Sequence, residues 1–315
     1  MKATMIIGSL FIMFINHGVY AQEKSIVKNQ FQEENIQRLT THTGPQTAAD
    51  LTQYYENTVT GCGDDENLPA FFCSGVIIRA TDYSTAHHSW DPSPASQSSG
   101  GVSFSYLRAD SKYSSLAYNY VNGFIFYPRE YTPEDKDSDI DVMCSFPIDA
   151  ATNDRVDKGC GASPSYPTQS VECQTQGIFT ATEWYNHYTE GKNSHSYQCG
   201  FVTADNSQYD TADGFYQSIL SMAKIASESF TTQNELRLAT WAQGMQDTLP
   251  IEAFFYLSGS SSGLTTAQYD QEDFYNNTTG NMWVPIIKVE LPTSKSGNVV
   301  FTYSDNDQWV LQSKQ

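Results

Sequence analysis

The sequence predicts an α+β fold, with a mixed β-sheet core, flanking helices and a disulfide-rich insertion. Three observations carry this. Short apolar runs rich in Ile, Val, Phe and Tyr alternate with segments of helical period. Aromatic residues make up 13% of the 315 residues, enough for a sizeable core and in keeping with a β-rich secreted protein. All six cysteines fall between Cys62 and Cys199, with Pro, Gly and Ser crowded into 144–178.

The N-terminus reads as a secretory signal. Met1-Lys2 is followed by an apolar run from Met5 to Ile15, and Val19-Tyr20-Ala21 supplies small residues for cleavage after Ala21. That run is too short to span a bilayer, and no later stretch is long and apolar enough. Residues 22–46 are polar and without period, a flexible lead-in. Residues 47–315 read as one domain with a Cys-rich insertion at about 144–199, because no linker divides the strands into two sets.

Within that domain, Thr47 to Tyr55 suits a short helix with Thr47 near its N-cap. Phe71 to Arg79 reads as the first central strand, and Tyr83 to Ser99 as loop. Gly100–Arg108 is a second strand; its Ser103 and Ser105, two apart, share one face. Ser111 to Tyr120 suits a helix, Gly123 to Tyr127 a strand, and Pro133 to Asp141 a charged turn. Thr182–Thr189 and Tyr209–Phe230 read as helices, the latter with Phe215, Ile219, Met222, Ala223 and Ala226 on one stripe. Strands follow at Ile251–Leu257, Trp283–Leu291 and Val299–Tyr303, with a helix around Thr265–Tyr275.

Export makes the cysteines informative. An even number in an oxidising compartment suits disulfides. Six allow 15 connectivities, and nearest-neighbour pairing, Cys62–Cys73, Cys144–Cys160 and Cys173–Cys199, is favoured. Zinc is the rival, disfavoured because no C-x₂-C pair is present. The formal charge is −19, one unit more negative once Lys2 leaves. So acidic a chain lacks the basic footprint that nucleic acid and anionic membranes require.

Three motifs carry candidate chemistry in a fixed order: Arg79 in Ile77-Ile78-Arg79-Ala80-Thr81-Asp82, the serine strand, and Gln233-Asn234-Glu235-Leu236. An arginine fork binds diphosphate oxygens bidentately. A glutamate accepts a hydrogen bond from a ribose hydroxyl and offsets charge on an oxocarbenium-like sugar. Serines at i and i+2 brace that glutamate or line the pocket beside it.

These three motifs resemble the arginine strand, the Ser-Thr-Ser strand and the Glu/Gln-x-Glu loop of the cholera-toxin-like ADP-ribosyltransferases, with Phe104 in place of the central Thr. Leu249-Pro250-Ile251 before a strand adds to the likeness, and residues 60–260 resemble the halovibrin family of secreted bacterial NAD glycohydrolases. The resemblance implies a split mixed sheet of ADP-ribosyltransferase type. It implies cleavage of the nicotinamide–ribose bond of NAD+, with NAD+ as substrate and no cofactor or metal. Glu235 and Ser103 would be catalytic, Ser103 as the brace of Glu235. Arg79 would hold the NAD phosphates, Ser105 would line the pocket, and Gln233 would occupy the position that governs acceptor choice. Mono-ADP-ribosyl transfer to a protein acceptor is the alternative within this chemistry; a disulfide-stabilised binding or adhesion module is the alternative outside it.

Other features read more plainly. Thr231-Thr232-Gln233-Asn234-Glu235 also resembles N-cap chemistry before a helix. Gly259-Ser260-Ser261-Ser262-Gly263 has nucleophile-elbow spacing, but no histidine follows Ser261, so it reads as a flexible turn. His87 and His88, beside Trp90, read as a surface loop, with a substrate-pocket role as the rival. Gly61-Cys62-Gly63 lacks the third glycine of a dinucleotide fingerprint.

Overall fold

The computed structural model describes residues 43–62, 68–81, 87–90, 102–126, 142–150, 160, 172–191, 198–203, 211–228, 233–238, 251–278 and 281–312. The expected signal segment, Gly100-Gly101, the charged turn at 133–141, Leu249-Pro250 and residues 151–159, 161–171 and 192–197 of the Cys-rich stretch lie outside these residues.

The fold is α+β, as the alternating pattern predicts. Its centre is a nine-stranded mixed sheet. The strands β3 (Val76–Ala80), β4 (Val102–Leu107), β5 (Asn122–Phe126), β6 (Val142–Phe146), β7 (Phe201–Val202), β8 (Glu235–Leu238), β9 (Ile251–Leu257), β10 (Ile286–Glu290) and β11 (Val300–Tyr303) run in the order β11-β10-β9-β5-β3-β4-β8-β6-β7. Only β9 and β10 pair in parallel. A small ribbon, β1 (Gly61–Cys62) with β2 (Leu68–Pro69), stands apart.

Strand β4 is where two half-sheets meet. Its second half, Ser105–Leu107, pairs with β3, and its first half, Val102–Phe104, pairs with β8. The β3–β4 ladder ends at Ile78↔Ser105, so Arg79 stands where the two strands part.

Two clusters of apolar side chains cover the two faces, as period-2 alternation requires. One holds Ile77, Phe104, Tyr106, Phe124, Phe126, Leu236 and Phe254. The other holds Val76, Ile78, Leu107, Ile125, Ala253 and Phe255. Of the four α-helices among the described residues, α1 (Gly44–Glu56), α3 (Thr211–Glu228) and α4 (Ser261–Asn277) pack on these clusters, while α2 (Ala181–Glu190) buries Trp184 and Tyr188 in a separate cluster with Cys173, Cys199 and Phe201. Ala267 and Phe274 of α4 join the first cluster, and Ala48, Leu51 and Tyr55 of α1 the second. Phe215 and Ile219 of the α3 stripe are buried in the first cluster and Met222 in the second.

The three disulfides are the nearest-neighbour pairs, Cys62–Cys73, Cys144–Cys160 and Cys173–Cys199. They leave no cysteine for zinc and belong to an oxidising environment. Among the described residues no helix is long and apolar enough to cross a membrane.

Several boundaries differ from the sequence expectation. Helix α1 starts at Gly44, capped by Thr43, whose hydroxyl accepts from the Gln46 amide at 3.4 Å; Thr47 is inside the helix and buried. The first central strand starts at Val76, not Phe71, because Ala70–Phe72 coils into a 3₁₀ turn held by the Cys62–Cys73 bond. Ser111–Tyr120 is not a helix. Tyr113 and Leu116 are drawn into the core, and Tyr118 and Asn119 take positive φ of 54° and 57°, which an α-helix cannot contain. Ser260 is an N-cap, its hydroxyl accepting from the Gly263 amide, so the Ser-rich segment opens α4 instead of forming a loose turn.

Candidate active site

Glu235 opens β8, where the segment is a strand rather than a capped helix. The side chain of Asn234 makes this start possible. Its Oδ1 accepts from the Tyr106 amide and its Nδ2 donates to the Tyr106 carbonyl, both at 2.7 Å. One side-chain amide thus continues the β4–β8 ladder beyond Phe104↔Leu236, and the backbone at Glu235 is held in register.

The Glu235 carboxylate is 2% exposed. Ser103 Oγ donates to its Oε1 at 2.5 Å, across 132 residues of sequence. The Ala150 amide donates to Oε2 at 2.9 Å. Burial pushes its pKa up to about 7, and the negative charge of Asp149 adds to the rise; the bonds from Ser103 and Ala150 and the charge of Arg237 act against it. Glu235 is therefore protonated more easily than a free carboxylate.

Arg79 Nη1 donates to the Ser103 backbone carbonyl at 2.7 Å. By alternation Arg79 leaves β3 on the face of Phe104 and Phe124, opposite to Ser103, and its guanidinium lies 5.9 Å from the Phe104 ring centroid. It reaches Ser103 through the opening between β3 and β4. Desolvation lowers its pKa to about 10, while Tyr120 and Glu235 act in the other direction. Arg79 Nε is buried without a hydrogen-bond partner. Next to it, Gly123 is packed so closely that a Cβ there would sit 2.0 Å from the Arg79 carbonyl oxygen.

Gln233 Oε1 accepts from the Ala117 amide at 3.1 Å, and its carbonyl accepts from the Asp149 amide at 2.9 Å. Ser105 is buried and shares a 2.8 Å hydrogen bond with Tyr113, so it supports the covering loop behind Ser103. Ser103, Glu235 and Arg79 are thus linked, Gln233 flanks them, and Ser105 lies one alternation further into the core. His88 is elsewhere. Its Nδ1 meets Asp273 of α4 at 2.5 Å, and its ring stacks on Trp90, 4.6 Å away. That pair, with Ser89 on Asp270 at 2.5 Å, pins the loop after β3 to α4.

Four contributors have no place in the sequence expectation. Arg237 is buried opposite Ser103, on the same face as Glu235 two residues away; the i, i+2 spacing marks it once the segment is known to be a strand. Asp149 and Ala150 act through a backbone amide and a charge brought from 85 residues away, and no local pattern signals them. Tyr118, 64% exposed, contacts the ring of Tyr120 beside Arg79 at 5.6 Å. Its positive φ is strain held at the rim of the site. Among the described residues no group of three His, Cys, Asp or Glu is arranged to hold a metal ion. Compared with known proteins, the chain matches no family model and no curated sequence.

Proposed function

We propose that this protein is a secreted NAD+ glycohydrolase, related to the halovibrin family, on an ADP-ribosyltransferase-like version of the split sheet. The single observation that carries the reading is the Ser103–Glu235 hydrogen bond at the point where Arg79 bridges β3 and β4. That three motifs far apart in sequence are brought into contact supports the reading.

In this reading Arg79 takes the diphosphate with guanidinium donors other than Nη1, including the buried Nε that now has no partner. Ser103 and the Ala150 amide hold the plane of the Glu235 carboxylate. Glu235 accepts from the ribose 2′-hydroxyl and offsets the charge that grows on the sugar. The C1′–N bond breaks with its electron pair going to the pyridinium nitrogen, so nicotinamide leaves neutral and needs no acid. Water attacks C1′, and its proton passes to Glu235 and on to solvent, giving ADP-ribose. The positive charge of the substrate's nicotinamide ring favours the ionised form of a carboxyl whose pKa burial raises. Tyr118 offers an aromatic face for a flat ring at the rim.

Hydrolysis is preferred to transfer because the Gln233 amide oxygen is already committed to the Ala117 amide. The test is nicotinamide release by mature, oxidised protein. Glu235→Gln lowers it by about 10²–10³-fold with the fold retained. Labelled ADP-ribose accumulates free in solution. Full activity in the variant overturns the assignment, and label on protein transfers the reading to ADP-ribosylation.

A further inference from the structure

The Glu235 carboxylate depends on a backbone amide, and that amide is held by the disulfide-rich excursion. Gln198 is fully buried. Its Nε2 donates to the Ile148 carbonyl at 2.8 Å, and its Oε1 accepts from the Ile148 amide at 3.3 Å. This is the arrangement that Asn234 makes with Tyr106 on the other side of Glu235. Ile148 is two residues before Ala150, whose amide meets Oε2, and the Asp149 amide between them is tied to Gln233. Gln198 itself is anchored by its neighbour: Cys199 is bonded to Cys173, and its carbonyl accepts from Trp184 Nε1 of α2 at 3.0 Å. The Cys173 amide donates to the Gly200 carbonyl at 2.8 Å, closing the unit.

We propose that Gln198 is a positioning residue for Glu235, and that the Cys173–Cys199 unit exists to hold it. The chain of contacts is continuous: the disulfide and Trp184 fix Gln198, Gln198 fixes Ile148, and Ile148 sets the Ala150 amide against the carboxylate. A helical excursion packed on Phe201 at the β7 edge of the sheet becomes part of the site. The assignment rests on Glu235 being the working carboxylate, as proposed above. It also makes activity depend on export, because reduction of Cys173–Cys199 frees Gln198 and with it the Ala150 donor. The groups facing Glu235 are Ser103, the Ala150 amide, Asp149, Arg237 and Arg79, and Gln198 acts through the second and third of these.

The experiment is Gln198→Met in the oxidised, mature protein. Methionine keeps the length and volume and makes neither bond. Two readouts separate positioning from packing. The first needs no substrate: the titration of Glu235, followed by carboxyl ¹³C NMR, moves to higher pH in the variant because a donor to the ionised form is lost. The second is nicotinamide release, where kcat falls by about 10²-fold while KM for NAD+ stays within about twofold, since Arg79 is untouched. A lower melting temperature with an unchanged Glu235 midpoint overturns the proposal. If Gln198→Met does not fold, Gln198→Glu is read in the same way; its carboxylate keeps the acceptor for the Ile148 amide and loses the donor to the Ile148 carbonyl. If the unmodified protein releases no nicotinamide, the glycohydrolase reading fails, and the titration still decides whether Gln198 positions Glu235.

Discussion

The two halves of the sheet that meet on β4 are built by the same strand geometry and do opposite things with it. In the β9–β5–β3 half, facing pairs are Ile77 with Phe126, Phe124 with Phe254, and Ile125 with Ala253. In the β4–β8–β6 half, apolar pairs such as Phe104 with Leu236 alternate with Ser103 opposite Arg237, and Phe146 faces Glu235. The first half lowers the free energy of the fold chiefly through buried apolar area, although Glu252 of β9 is buried there too. The second buries the Glu235 carboxylate and the Arg237 guanidinium on one face, and the carboxylate is tolerated because Ser103 and the Ala150 amide donate to it and Arg237 lies two residues away. The lesson is that a stiff apolar half supports a half that holds charge at a cost in stability.

The largest effect that would break this contrast is in the apolar half. Phe254→Ala, at a side chain with no exposure, costs about 3–5 kcal/mol in denaturant unfolding. A loss as small as that of a surface substitution would mean that the half is not the support described. The next effect concerns the cost of the charged half. Glu235 has a folded pKa of about 7 against 4.5 when free, so between those values the folded state binds more protons than the unfolded state. Stability from this group is complete below about 4.5, falls as pH rises, and is lost above about 7, a change on the order of 3 kcal/mol. Asp270, raised to about 6 by burial, contributes a slope of the same sign. The measurement is therefore the difference between wild type and Glu235→Gln from pH 4 to 8, in which the Asp270 contribution cancels. Equal slopes would remove Glu235 from the charged half. The smallest effect sharpens the division of labour inside the site. Arg79→Ala raises the KM for NAD+ by about 10–10²-fold, the loss of one charge-assisted hydrogen bond, and more than Glu235→Gln does. Equal KM changes would show that Arg79 does not clamp the diphosphate.

Much of the apolar half was legible along the chain. Ile251–Leu257 is a strand over the residues its composition marks, the α3 stripe follows from its period, and the three disulfides are the pairing that was favoured among 15. Helix ends and the 111–120 loop were not. Thr43, not Thr47, caps α1, and a helical reading of 111–120 misses that Tyr113 is worth more buried against Ser105 than presented on a helix surface. In the site, Arg79, Ser103 and Glu235 were legible as residue types in an order. Arg237 was legible only given the strand. Asp149, Ala150 and Gln198 were illegible, because a backbone amide carries no sequence signature and a glutamine that bonds a backbone looks like any other.

Local period and composition were enough for the class of fold and the apolar faces, and they left the cysteine pairing as one favoured choice among 15. The sequence also supplied the three candidate groups. Long-range packing decided that Arg79 bonds the Ser103 backbone carbonyl, that Glu235 is buried under the charge of Asp149, and that its second oxygen is held by the Ala150 amide. Those depend on which strands become neighbours, and strand neighbours are chosen by long-range burial that no local window contains.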